Sequence, residues 1–227
     1  MQLLKYLQAQ GIGSRKQCQW LIEHDCIEIN GEIFNQAKTE ITPDDVCSLR
    51  VDGEDTVIVP QPYFYILLNK PANYETSHKP QHYPSVFSLF PDHMRNIDMQ
   101  AIGRLDADTT GVLLVTNDGQ FNHRMTSPKH KVPKLYQVRL KHPADNSLCQ
   151  QLKNGVLLHD DNVTVTAADA TLADPLTLLL TITEGKYHQV KRMVAAGGNR
   201  VEALHRLSFG EWNCDNLGSG EWKFINT

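Results

Sequence analysis

The chain has 227 residues, enough for one large domain or a small domain beside a larger one. Apolar residues make up 41% and charged residues 21%, which supports a packed core and argues against extended disorder, and no apolar run approaches the roughly 18 residues that a membrane span needs. The net charge of -4, averaged over the chain, weighs against a nucleic-acid partner.

The predicted elements start with helix, turn, helix and hairpin. LLKYLQAQ has helical spacing and stops at Gly11. Ser14 is a natural N-cap for a second helix running from Arg15 to about His24, with Cys18, Leu21 and Ile22 on one face. Cys26, Ile27 and Ile29 lead into Asn30-Gly31, a strong hairpin signal, and Val46 to Val51 reads as a further strand. Residues 52–62, acidic and then proline-bearing, suit a connection. We therefore expect a small domain over 1–55, a linker over 56–62 and a larger domain over 63–227.

In the larger region strands are expected at Tyr63–Asn69, Val112–Thr116, Leu135–Leu140, Val163–Ala168, Leu176–Thr183 and Val201–Ser208. Helices are expected at Gly119–Thr126, Ala144–Lys153 and Tyr187–Ala196. Helices interrupt the strands irregularly, so the expected class is α+β with a mixed, mostly antiparallel sheet.

The charge is uneven. Residues 1–60 carry five basic and ten acidic side chains, whereas residues 120–141 hold Arg124, Lys129, Lys131, Lys134, Arg139 and Lys141 and no acid. That window suits a phosphate-facing track as well as a solvated face. The five cysteines are widely spaced, none in a C-x-x-C pair, and the ten histidines form no ligand pattern; free thiols in a reducing cytoplasm and no metal are expected. The N-terminus lacks the apolar stretch and cleavage site of a signal peptide.

The most informative stretch is GRLDADTTGVLLVTNDG, residues 103–119, an acidic loop that feeds a buried strand and then a helix. Taken alone, Asp106 and Asp108 read as turn or capping residues. The stretch resembles the catalytic motif of the pseudouridine synthases, in their RsuA-type branch. YILLNKPANY, FNHRMTSPKHKVPKLYQVRL and EGKYHQVKRMVAAGGNRVEALHRLSFG resemble three further family segments in the same order, and residues 1–50 resemble the small alpha-L RNA-binding domain seen in ribosomal small-subunit protein four.

The resemblance implies an enzyme that isomerises a uridine of 16S rRNA, uridine 516, to pseudouridine without metal or cofactor, as a monomer. Asp106 takes the position of the catalytic aspartate, acting as nucleophile on the sugar or as base at its 2′ carbon. A buried carboxylate tends to protonate, so a cation is needed to keep it ionised, and Lys191 in His188-Gln189-Val190-Lys191 matches it. The target base must be extruded, and Tyr136 and Leu204 match the residues that flank it. Arg104 matches the arginine that enters the RNA, while Ser14, Arg15, Lys16, Lys134 and Arg192 are the expected phosphate contacts. Two departures stand out. Asn73 occupies the N-K-P turn near where the family usually has glycine, a place Asn tolerates because it accepts φ > 0. Leu4 replaces a frequent aspartate. The alternatives are a large-subunit rRNA synthase of the same branch and a non-catalytic RNA-binding or ribosome-assembly protein. A nucleotide-binding enzyme is disfavoured, because no phosphate loop is present.

Overall fold

The computed structural model describes residues 1–227. It divides into two compact units: Met1–Phe64 with Phe87–Met99, and Tyr65–Val86 with Gln100–Thr227.

The N-terminal unit opens with α1 (Leu3–Ala9) and α2 (Arg15–Glu23), followed by β1 (Ile27–Ile29), β2 (Glu32–Ile33), β3 (Leu49–Val51) and β4 (Glu54–Asp55), which form an antiparallel sheet in the order β2-β1-β3-β4. Ser14 caps α2 through a reciprocal capping box with Gln17, which satisfies two backbone donors at once. Asn30 and Gly31 both adopt positive φ, the conformation that closes the β1–β2 hairpin. Leu3, Tyr6, Leu7, Cys18, Ile22, Ile27 and Leu49 form the core.

Residues 56–62 are not the free linker the sequence suggested. Asp52 and Gly53 turn the chain into β4, and Val59 is then buried against α1. The buried Gln10 amide bonds both backbone groups of Val59, accepting its N–H at 2.7 Å and donating to its carbonyl at 2.9 Å. The segment 87–99 also joins this unit: Asn96 donates to the Gly11 carbonyl at 2.8 Å, and a His93 ring nitrogen lies 2.9 Å from the Val57 carbonyl. Side-chain hydrogen bonds to distant backbone groups, from Gln10, His93 and Asn96, created these docks, and hydrophobic periodicity does not register them.

The larger unit contains β5 (Tyr65–Lys70), β6 (Gln100–Ile102), β7 (Thr110–Thr116), α3 (Gly119–Thr126), β8 (Lys134–Leu140), α4 (Asn146–Asn154), β9 (Val156–Leu158), β10 (Val163–Val165), β11 (Asp169–Asp174), β12 (Thr177–Ile182), α5 (Gln189–Ala196), β13 (Val201–Phe209), β14 (Trp212–Asn213) and β15 (Trp222–Phe224). Seven strands run in the order β11-β12-β8-β13-β7-β5-β15, with β14 on β13 and β6 on β7; β9 and β10 pair separately. Only β7 and β13 are parallel. The class is thus α+β with a mixed, mostly antiparallel sheet.

Boundary shifts have local causes. α4 starts at Asn146 because Asp145 is its N-cap, accepting the Ser147 N–H at 2.8 Å. α5 starts at Gln189 because His188 adopts a left-handed conformation, φ 47°. The expected strand at 163–168 ends at Val165, where the chain leaves the β9–β10 ribbon, and β11 starts at Asp169 to pair with β12.

The sheet has a split that positions the site. β5 covers one edge of β7 along its length. On the other edge, β13 pairs only with Thr110 and Gly111, while β6 pairs with Leu114–Thr116. The loop 103–109 that joins β6 to β7 therefore emerges where β13 diverges. Gly111 makes the close approach possible: its φ is 100°, and an added Cβ would collide with the Arg206 backbone. Gly111→Ala should cost at least about 2 kcal/mol through strain and overpacking. That corresponds to a fall of about 4–8 °C in the melting temperature for a domain of this size. A calorimetric melt unchanged from wild type would show that the β7–β13 contact is not so tight.

Candidate active site

The loop after β6 is held from below by the turn that follows β5. Lys70 is fully buried, and its ammonium donates to three carbonyls, Thr109 at 2.8 Å, Pro71 at 2.9 Å and Ala107 at 3.2 Å. The Asn73 N–H also donates to the Ala107 carbonyl, at 2.7 Å. Asn73 has φ 64°, so asparagine does sustain the turn. Thr76 completes the clamp, its hydroxyl donating to the Leu105 carbonyl at 2.9 Å. Burial pushes the Lys70 ammonium down to about 8, against the pull of Asp108 and Asp106, so at neutral pH it keeps the three donors its three carbonyls need.

Clamped in this way, the loop presents Asp106, about one-third exposed, to a cavity of about 380 Å³. One carboxylate oxygen lies 3.2 Å from His188 Nε2 and the other 3.1 Å from Lys191 Nζ. Lys191 also donates to both oxygens of Asp108, at 2.7 and 2.9 Å. The sequence-matched cation is therefore shared between two carboxylates. Burial draws the Asp108 carboxyl upward, but the Lys191 ammonium outweighs it and holds the group below its ordinary value. For Lys191 burial opposes the charge, and Asp108 and Asp106 together override it and raise its pKa.

Tyr136 and Leu204, both buried, form part of the cavity wall, with Ile182, Val190 and Phe209 supplying apolar surface. Strand alternation explains Tyr136: on β8 the inward positions are Lys134, Tyr136, Val138 and Leu140. Arg104 is exposed and lines the same cavity. Six of the expected residues, Arg104, Asp106, Lys134, Tyr136, Lys191 and Leu204, thus meet at one site.

The remaining expectations need correction or a different place. Lys134 is not on an open phosphate track. It is buried, donates to the Val132 carbonyl at 3.0 Å and lies 4.8 Å from the centre of the Phe209 ring. The same alternation that turns Tyr136 inward turns Lys134 inward. Arg192 is engaged within the protein, 2.8 Å from Asp161 and 3.6 Å from Asp160, so it braces α5 against the turn before β10. Ser14 spends its hydroxyl on the α2 cap, while Arg15 and Lys16 are exposed in the N-terminal unit.

Four contributors escaped the sequence reading: His188, Asp108, Lys70 and Arg206. The first two lie inside the motifs that carried Lys191 and Asp106. Lys70 belongs to the N-K-P turn, where the lysine could have been read as the turn's internal donor. No pattern announced Arg206, which is 1% exposed.

The residues 64–196 match the family model described as RNA pseudouridylate synthase, and residues 1–47 match the S4 domain. The chain is 38% identical to the ribosomal small subunit pseudouridine synthase A of Yersinia pestis, covering 100% of this chain and 95% of that protein. It is likewise 38% identical to the protein of that name from Escherichia coli K12, covering 98% and 95%. Among solved structures, one described as a pseudouridylate synthase superposes with a TM-score of 0.69 at 34% identity, over 100% of this chain and 96% of that one.

The shared ammonium makes a direct measurement possible. Replacing Lys191 with Met removes the opposing charge, so the Asp108 carboxyl, titrated by carbon-13 NMR, should rise by about one unit or more. Lys191→Arg should leave it low. A titration unmoved by Lys191→Met would mean that another group holds Asp108 ionised.

Proposed function

The chain belongs to the RNA pseudouridylate synthase family and is an isomerase of RNA uridines; from that premise we propose that its target is one uridine of small-subunit rRNA, uridine 516, and that Asp106 is the carboxylate that acts on the ribose. Full-length similarity to proteins named as small-subunit synthases supports the target. The observation that carries the assignment of Asp106 is its position: a part-exposed carboxylate at a cavity of about 380 Å³, gripped by Lys191 and His188. That volume lies at the small end of ligand sites and suits a single extruded nucleoside.

The reaction is an isomerisation, so atoms and charge balance without a partner. The bond from C1′ to N1 breaks, the base turns, and C5 forms the new bond to C1′. The hydrogen on C5 leaves, and N1 gains one. Lys191 and His188 hold the carboxylate in one orientation, and the clamp on Ala107 and Thr109 fixes the loop that carries it. Tyr136 offers a ring face to the extruded uracil, with Leu204 as the apolar wall. On the cavity lining, the exposed Arg104 supplies a cation for the RNA, as do Arg15 and Lys16 in the S4 domain.

Asp106→Asn should lower tritium release from RNA carrying 5-tritiated uridine by more than about a thousandfold. It should leave RNA affinity within a few-fold of wild type. Turnover near the wild-type rate would remove Asp106 from the chemistry. Tyr136→Ala should weaken productive binding by about 1–3 kcal/mol, with Tyr136→Phe milder because the ring face survives. Equal losses in the two variants would transfer the role to the hydroxyl.

A further inference from the structure

The cavity is far more positive than the acidic chain suggests. Its lining holds Arg104, Lys134, Lys186, Lys191 and Arg206 against one carboxylate, Asp106. Arg104 and Lys186 are exposed and stand where a phosphate reaches them. Lys191 is matched by Asp106 and Asp108. Lys134 and Arg206 fit neither description, for both are buried and neither pairs with a carboxylate.

Arg206 is the more unusual of the two. Its Nε donates to the Val112 carbonyl at 2.7 Å and one Nη to the Tyr136 hydroxyl at 3.4 Å. The other Nη is buried without a protein partner. Its guanidinium lies 4.9 Å from the centre of the Phe209 ring, the same ring over which the Lys134 ammonium sits. A buried cation with no counterion is costly, and two beside each other cost more. Burial, with the Arg206 charge adding to it, pushes Lys134 down to about 8, so it still carries a proton at neutral pH. Their partners inside the protein are two backbone carbonyls and the Tyr136 hydroxyl, none of which carries an opposing charge.

The chemistry supplies the missing anion. Whether Asp106 attacks C1′ or removes a proton from C2′, the bonding pair of the C1′–N1 bond leaves with the base. The detached uracil is then an anion, its charge spread over the ring and its two oxygens, until C5 bonds to C1′. Lys134 and Arg206 are both buried, yet both line the cavity that receives the extruded base. We propose that Arg206 and Lys134 form an electropositive floor that stabilises this departing uracil anion. The proposal rests on the synthase reading above. The floor acts on charge that exists only after the bond begins to break, so its contribution belongs to the transition state and not to substrate binding. The Tyr136 hydroxyl, which accepts from Arg206, ties that charge to the side chain that stacks on the base.

The test compares kcat with KM for tritium release from the small-subunit rRNA substrate. Arg206→Met should lower kcat by about a hundredfold or more while KM stays within about threefold. Arg206→Lys should recover part of the loss. Lys134→Met should change kcat in the same direction and serves as the readout should Arg206→Met fail to fold. A second measurement uses RNA with 5-fluorouridine at the target. Fluorine makes the base a better anion, so in a single turnover the variants should lose less of the rate at which its N-glycosidic bond breaks. Equal losses with both bases, or a rise in KM at constant kcat, would overturn the floor. Should the wild-type enzyme release no tritium, the synthase reading itself fails; activity in wild type that survives in both variants sinks the floor alone.

Discussion

The close parallel contact between β7 and β13 is the constraint from which the site follows. At Gly111 the two backbones approach so nearly that a Cβ cannot fit, and only a residue without one adopts the local φ of 100° without strain. Because β13 then diverges, β6 takes over the same edge of β7, and the seven-residue excursion around Asp106 has to pass through the opening. The contact also threads Arg206 behind the cavity, where its Nε reaches the Val112 carbonyl of β7. One backbone juxtaposition thus sets both the carboxylate loop at the mouth and the cation at the floor.

Charge in the site is organised in depth. At the mouth, two carboxylates share Lys191, and His188 takes the remaining side of Asp106. Two like charges so near each other repel, and the ammonium between them offsets that repulsion. Beneath the loop, Lys70 saturates three carbonyls and so converts a flexible acidic turn into a rigid one. Asp108 has no need to meet substrate in this arrangement. Its effect is to orient the ammonium that Asp106 also uses.

The sequence made the fold and the chemical centre legible because these rest on local signals. Caps, hairpin glycines and period-two alternation located α2, α3, β7 and β8 to within one or two residues, with α3 matching at both ends. Family motifs then singled out Asp106 among otherwise ordinary turn residues. The rest depended on long-range satisfaction of polar groups. Gln10 meets Val59 across 49 residues, Asn96 meets Gly11 across 85, and Arg206 meets Val112 across 94. Such bonds leave no periodic trace, and for that reason the presumed linker at 56–62, the excursion at 87–99 and the buried arginine went unread. Lys134 is the instructive error. Its basic neighbours suggested a surface track, whereas its spacing of two from Tyr136 already fixed it on the inward face.

A net charge of -4 also misled in a way that has a physical explanation. Many of the acids are not a field presented to a partner, because they are paired inside the protein. Asp160 and Asp161 meet Arg192, Asp106 and Asp108 meet Lys191, and Glu28 and Asp55 meet Arg50. An ion pair of this kind is nearly neutral beyond its own dimensions in screened solvent. What an approaching polyanion meets locally is set by the cations left over, and at the cavity these include the exposed Arg104 and Lys186. Bulk charge describes solubility; for recognition of RNA, the relevant quantity is which charges remain unspent after folding.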